Sequence, residues 1–190
     1  SIQFNAPLKN ESFAEIRKIA ETFKPELPGR SPLQTITLAL GGGGVMPSPV
    51  AQGFAMHISG ADGVIQHELR VDASSLTYRT TSYSRWALIW ERARKYFEAL
   101  LGAYVRDAKL AAISLNYVDK FIWSGDKTAD KSPTLIRDGS KYLPKHIYES
   151  NDLWHSHTGA FVKVDKNTKR LINVNIDHVD ETQDTEIRRA

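Results

Sequence analysis

Apolar residues recur along this chain at two spacings, and the switch between them marks its elements. Phe13, Ile16, Ile19, Ala20 and Phe23 fall on one helical face, and Ser12 with Glu15 reads as a capping-box start before them. Pro25 and Pro28 stop that helix. From Gln34 the pattern becomes alternation, with Ile36, Leu38 and Leu40 on one side of a strand. Gly41–Gly44, Pro47 and Pro49 then predict a flexible loop.

Phe54, Met56 and Ile58 alternate into the turn chemistry of Ser59–Gly63, and Val64–Val71 returns, so a β-hairpin is predicted. Leu76–Thr81 is β-branched and aromatic enough for a third strand. Ser82 or Ser84 is placed to cap the longest helix, running to about Arg106. Its stripe is Trp86, Ile89, Trp90, Ala93, Phe97, Leu100, Leu101 and Tyr104. That spacing predicts a central buried helix with Trp90 and Phe97 deep in the core. Leu110–Trp123 reads as a long strand after it. Residues 124–152 are polar, with a short helical turn near Ser140–Leu143. Strands Leu153–Val164 and Arg170–His178 follow, and Ile172, Val174 and Ile176 give the second an apolar face.

These elements predict an α+β class, an antiparallel sheet with helices packed on one face. The chain reads as one domain, 1–190. The hairpins 54–71 and 153–178 are either two ordinary hairpins or an internal duplication of a hairpin–helix–strand unit. In the second case the halves are 1–123 and 140–190, and the later copy is truncated before its helix.

Composition narrows the function classes more than it selects one. Hydrophobic residues make up 41% and charged residues 25% of the chain, enough apolar material for a packed core. The absence of cysteine excludes disulfides, thiolate metal sites and a cysteine nucleophile. No apolar run is long enough to span a bilayer, and a cytoplasmic location without membrane contact is expected. The net charge of +3 is unevenly placed. Residues 85–145 are rich in Lys and Arg, while 177–190 is acidic. Arg85, Arg92 and Lys95 are therefore candidate contacts for nucleic acid or another polyanion. Trp90, Phe97 and Tyr104 lie on the predicted core stripe, which weakens the aromatic part of that case.

Other chemistry is thinner. His155 and His157 alternate on a strand and project to one side, and His57 with His67 is expected to face across the first hairpin. Neither pair supplies the three or four converging ligands that zinc needs, so no metal site is assigned. Gly41–Gly44 is followed by Val45, Met46 and Pro47 rather than by a helix start, which is not how a phosphate loop is built. No nucleophile elbow, zincin motif or paired-carboxylate helix is present, and no catalytic residue or cofactor is assigned.

Several short motifs resemble a sporadically distributed bacterial family of uncharacterised proteins. They are Pro7-Leu8 before the first helix, Lys24-Pro25 at its end, Leu69-Arg70-Val71, Tyr83 and Trp86 at the long helix, Leu143-Pro144 and Ile176-Asp177. Leu115-Asn116-Tyr117-Val118-Asp119 stands where the family usually reads Leu-Arg-Tyr-Ile-Asn, so Asn116 and Asp119 replace the usual Arg and Asn here. The resemblance implies a further helix beyond Ala190 and no activity. Together these readings lead to a non-enzymatic interaction module of a bacterial accessory or defence-type locus. Its expected contact is a protein partner or a dimer through the C-terminal hairpin or the open sheet face rather than through the basic helix. Nucleic-acid or polyanion binding is the alternative, and an uncharacterised hydrolase or metal enzyme is the residual one.

Overall fold

The computed structural model describes residues 1–35, 50–122, 136–137, 139–150, 152–183 and 186–189. The chain divides into two compact units, Ser1–Asn116 and Tyr117–Ala190.

The first unit contains strands β1 (Ile2–Phe4), β2 (Gly29–Thr35), β3 (Val50–Ser59), β4 (Ile65–Asp72), β5 (Ser75–Thr80) and β6 (Leu110–Ile113). They form one six-stranded sheet in the order β2-β3-β4-β5-β1-β6, antiparallel at every pairing. Helices α1 (Asn10–Glu21) and α2 (Trp86–Asp107) complete the unit. The strand period of two sorts the sheet into faces. Phe54 and Met56 of β3, Leu69 and Val71 of β4, and Leu76 of β5 join Ile16, Ala20, Ala93, Tyr96, Phe97, Leu100 and Tyr104 in one buried cluster. His57, Glu68, Arg70, Thr77 and Arg79 occupy the alternate positions, so both helices cover a single face. Each fully buried large aliphatic side chain in that cluster contributes about 1.5–3 kcal/mol relative to exposure. The α+β architecture expected from the pattern is the one present.

Two details show how sequence and packing share the work. The turn Gly60–Val64 closes with Gly60 N–H on the Val64 carbonyl at 2.9 Å, and Gly63 supplies φ +77 where a side chain would be strained. Gly53 lies so close to β4 that a Cβ there would stand 2.3 Å from the Val71 carbonyl oxygen.

Other expectations need correction. Ser12 does not cap α1. It sits buried inside the helix, Lys9 is the N-cap residue without a side-chain bond, and the Lys9 N–H donates to Asp107 Oδ2 at 2.8 Å. The last residue of α2 thus does for α1 what a local capping-box glutamate would do. Ser82 and Ser84 do not cap α2, whose N-cap residue is Arg85. The strand expected over Leu110–Trp123 ends at Ile113, and 114–122 carry no regular structure. Ile36, Leu38, Leu40, Gly41–Gly44, Pro47, Pro49 and Trp123 lie outside the described residues. The expected meeting of His57 and His67 fails on register. His57 stands opposite Glu68 and Gly29, His67 opposite Ile58 and Thr80, so the two rings belong to opposite faces.

The second unit holds the expected turn at Ser140–Leu143, where the Leu143 N–H donates to the Ser140 carbonyl at 3.2 Å, and a 3₁₀ turn at Lys145–Glu149. It also holds a hairpin of β7 (Trp154–Lys163) and β8 (Lys169–His178), and a second hairpin of β9 (Asp180–Gln183) and β10 (Glu186–Arg189). Asp165 shapes the first turn by accepting the Asn167 and Thr168 N–H groups, and those bonds hold its carboxyl below the usual range. Ile172, Val174 and Ile176 share one half-buried face of β8, and the Thr158 hydroxyl donates to the Tyr142 carbonyl at 3.0 Å.

Candidate functional site

The surface that concentrates chemistry is the first half of α2 with the strand ends beside it. The apolar stripe of α2 is continuous in sequence, but burial starts at Ala93. Trp90 is 44% exposed, Trp86 41% and Leu88 57%, so the deep burial expected for Trp90 is corrected. The reason is length. Helix α2 has 22 residues, about 33 Å at 1.5 Å per residue, and its buried positions run only from Ala93 to Tyr104. The first two turns extend past the cluster that covers the rest. Trp86 and Trp90, one turn apart, stack on each other with centroids 5.8 Å apart and planes 15° from parallel.

Along another side of the same turns runs an open groove of about 680 Å³. Leu88, Arg92 and Lys95 line it from the helix, His67 from β4, Ser82 and Ser84 from the loop before α2, and Glu26 from the segment after α1. Two bonded sets meet there. The Tyr96 hydroxyl donates to Glu26 Oε2 at 3.0 Å, and Lys95 bonds the other Glu26 oxygen. Lys95 is the main reason the Glu26 carboxyl is held low, with burial opposing it and Tyr96 helping. The Tyr78 hydroxyl lies 2.9 Å from His67 Nδ1, with the Arg92 guanidinium beside it. Burial first, and the Arg92 charge second, hold His67 below the ordinary imidazole range. Burial drives the Tyr78 hydroxyl upward against the pull of Arg92.

The three basic candidates have different situations. Lys95 is ion-paired with Glu26. Arg92 has no carboxylate within ion-pair distance among the described residues, and its charge acts on His67, Tyr78, Tyr96 and Glu26. Arg85 sits at the N-cap of α2, where the first turn carries no acidic residue. Arg94 is paired with Glu98. Glu26, Glu91 and Glu98 therefore balance Arg92, Arg94 and Lys95 around the groove, and the basic row seen in sequence is largely compensated.

Sequence reasoning missed the His67–Tyr78 pair. Its signal was the tight link between β4 and β5, which puts Leu69 opposite Tyr78 and so makes His67 and Tyr78 diagonal neighbours on one face. In the second unit, His155 and His157 do share a face. His155 pairs with Asp177, and His157 Nε2 lies 2.6 Å from Asn173 Oδ1. Among the described residues no group of three or more His, Asp or Glu side chains is arranged to hold a metal. None of the described helices is long and apolar enough to cross a membrane. No protein-family model, curated protein or solved structure matches the chain.

Proposed function

We propose that the chain is a non-enzymatic interaction module that engages a protein partner through the first half of α2. The observation that carries this reading is the exposure of Trp90, Trp86 and Leu88 within five consecutive residues, at the end of a helix otherwise packed in a core. Tryptophan with arginine at its rim is the composition that dominates protein-contact energetics. The compensated charge around the groove favours a protein over a polyanion, which needs an uncompensated basic track. Tryptophan also favours α2 over the C-terminal hairpin, whose exposed large apolar side chains, Phe161, Val162 and Leu171, include none. A bacterial accessory or defence-type setting, on the strength of the motif resemblance, and a cytoplasmic location, on the strength of composition, belong to the same proposal.

The test is differential capture from lysate of the source cell by wild type and by Trp90→Ala, with and without nuclease and high salt. A protein held by wild type in nuclease-treated, high-salt lysate and lost with Trp90→Ala supports the reading. Loss on nuclease or salt treatment transfers the surface to single-stranded nucleic acid, for which the Trp86–Trp90 stack beside Arg85 is suited. Equal capture by both chains overturns the assignment. Sedimentation of the wild type and of Val174→Asp separates self-association through the hairpin from either outcome.

A further inference from the structure

The groove beside α2 has a property that the tryptophan surface does not use. The groove holds the donors Arg92, His67, Ser82 and Ser84 beside the carboxylates of Glu26, Glu91 and Glu98. Glu26 is satisfied at both oxygens by Tyr96 and Lys95, while Arg92 has no carboxylate within ion-pair distance among the described residues. Arg92, as a guanidinium, only donates, and it lies against the Tyr78 oxygen. The Tyr78 hydroxyl lies 2.9 Å from His67 Nδ1 and can donate to it. With that donation the hydrogen of the neutral ring sits on Nε2, so the ring's other nitrogen is a donor too. Ser82 and Ser84 add hydroxyls from the loop that closes the groove.

We propose that this groove is a binding site for a phosphate-type oxyanion, held by Arg92 with His67 Nε2–H and the Ser82 and Ser84 hydroxyls. Arg92 supplies the charge and the planar fork that suits an oxyanion. A phosphate presents three acceptor oxygens, matching a donor set of guanidinium, imidazole and hydroxyls better than a carboxylate's two. A single small anion is governed by the donors next to it, whereas an extended polyanion meets all three groove glutamates, Glu26, Glu91 and Glu98. The same balance that disfavours nucleic acid therefore leaves this site intact. Burial and, second to it, the Arg92 charge hold the imidazole low, and an anion placed between Arg92 and His67 offsets the charge part, so occupancy raises the His67 titration midpoint. Arg92 is the charged group acting on that ring, with Tyr78 its hydrogen-bond partner. Phosphate carried on a phosphorylated side chain and free phosphate share this chemistry.

Histidine ring signals in proton NMR test the site, with the His67 resonance assigned by its loss in His67→Gln. Inorganic phosphate and O-phosphoserine are titrated in parallel into the wild-type chain. The expected result is a saturable shift of the His67 signal and a rise in its titration midpoint. Affinity should fall by roughly tenfold or more in Arg92→Gln and stay near wild type in Lys18→Gln, which removes equal charge elsewhere. Tighter binding of phosphoserine assigns a phosphorylated side chain as the natural ligand, and equal binding assigns free phosphate. A linear drift shared by several histidines, or undiminished binding by Arg92→Gln, overturns the proposal. Should Arg92→Gln lose its fold by circular dichroism, the double variant Ser82→Ala, Ser84→Ala takes its place, and unchanged affinity there also overturns it. Because capture through Trp90 is measured separately, either assignment can fail while the other stands.

Discussion

The two halves of α2 carry the same apolar rhythm and end in opposite environments. From Ala93 to Tyr104 the stripe is buried, with Tyr96, Leu100 and Tyr104 fully enclosed. From Trp86 to Trp90 its large side chains stand in solvent, save for the partly buried Ile89. Helical periodicity says which side of a helix is apolar, but not how far along the axis a partner layer extends. Here the layer is built by β3–β5 and α1. Phe4 stacks on Tyr104 at 4.4 Å and Phe23 meets Tyr96 edge-on at 4.8 Å, while no such ring reaches Trp90 from the core cluster. The buried half holds the fold, and the projecting half exposes Trp86, Leu88 and Trp90.

Four measurements separate the packed half of α2 from the projecting one. Leu100→Ala removes a fully buried side chain from the middle of the packed half, and its expected cost is about 2–5 kcal/mol in denaturant unfolding, the range for emptying such a site. A loss well under that range would mean that the packed half is not the centre of the core. Tyr104→Phe keeps the ring and its stacking but removes the hydroxyl that donates to the Asp72 carbonyl at 2.6 Å and the Ser75 carbonyl at 2.9 Å. About 1–3 kcal/mol should be lost, because those acceptors are left unsatisfied where the chain turns from β4 to β5. Retained stability would show that water reaches them.

Trp90→Ala is the sharpest contrast with Leu100→Ala, since both sit on one stripe. Its melting curve should stay close to wild type, with a change of about 0.5–1 kcal/mol, as expected for an exposed position. A loss of several kcal/mol would return the first half of the helix to a core. The smallest expected effect is at Glu26, where the two halves meet. Its folded-state carboxyl is lower than the ordinary value of 4.5, chiefly through the Lys95 bond. The stability it contributes is therefore complete above that value and is lost as pH falls below it through the folded-state pKa. Glu26→Gln should flatten that acid limb slightly, because the pair is well exposed to solvent. An unchanged acid limb would remove Glu26 from the account.

How much was legible follows from the range of each interaction. The hairpin β3–β4 and the hairpin β7–β8 were readable, because a turn with Gly63 or Asp165 and the alternation around it are local signals. The stripe of α1 was equally readable, as Ile16, Ala20 and Phe23 are buried. Its cap was not, since the partner of Lys9 is Asp107, far along the chain. The candidate site divides in the same way. Arg92 and Lys95 stood out as basic residues, yet Glu26, which neutralises one of them, and Tyr78, which orients His67, are supplied by other elements.

Periodicity, glycine turns and proline stops act within a few residues, and they encode α1, α2 and the hairpins β3–β4 and β7–β8 with their apolar sides, whereas β1, β9 and β10 were not expected from them. The sequence by itself also determined that no thiol chemistry is available. The tertiary structure decided the strand order β2-β3-β4-β5-β1-β6, in which the first strand lies between the fifth and the sixth. It decided that β6 stops at Ile113, that His57 and His67 part to opposite faces, and that α2 outruns its core at Trp90. Each of these depends on register and on where a second layer ends. Such quantities are set by groups distant in the chain and meeting in space, and no local pattern encodes them.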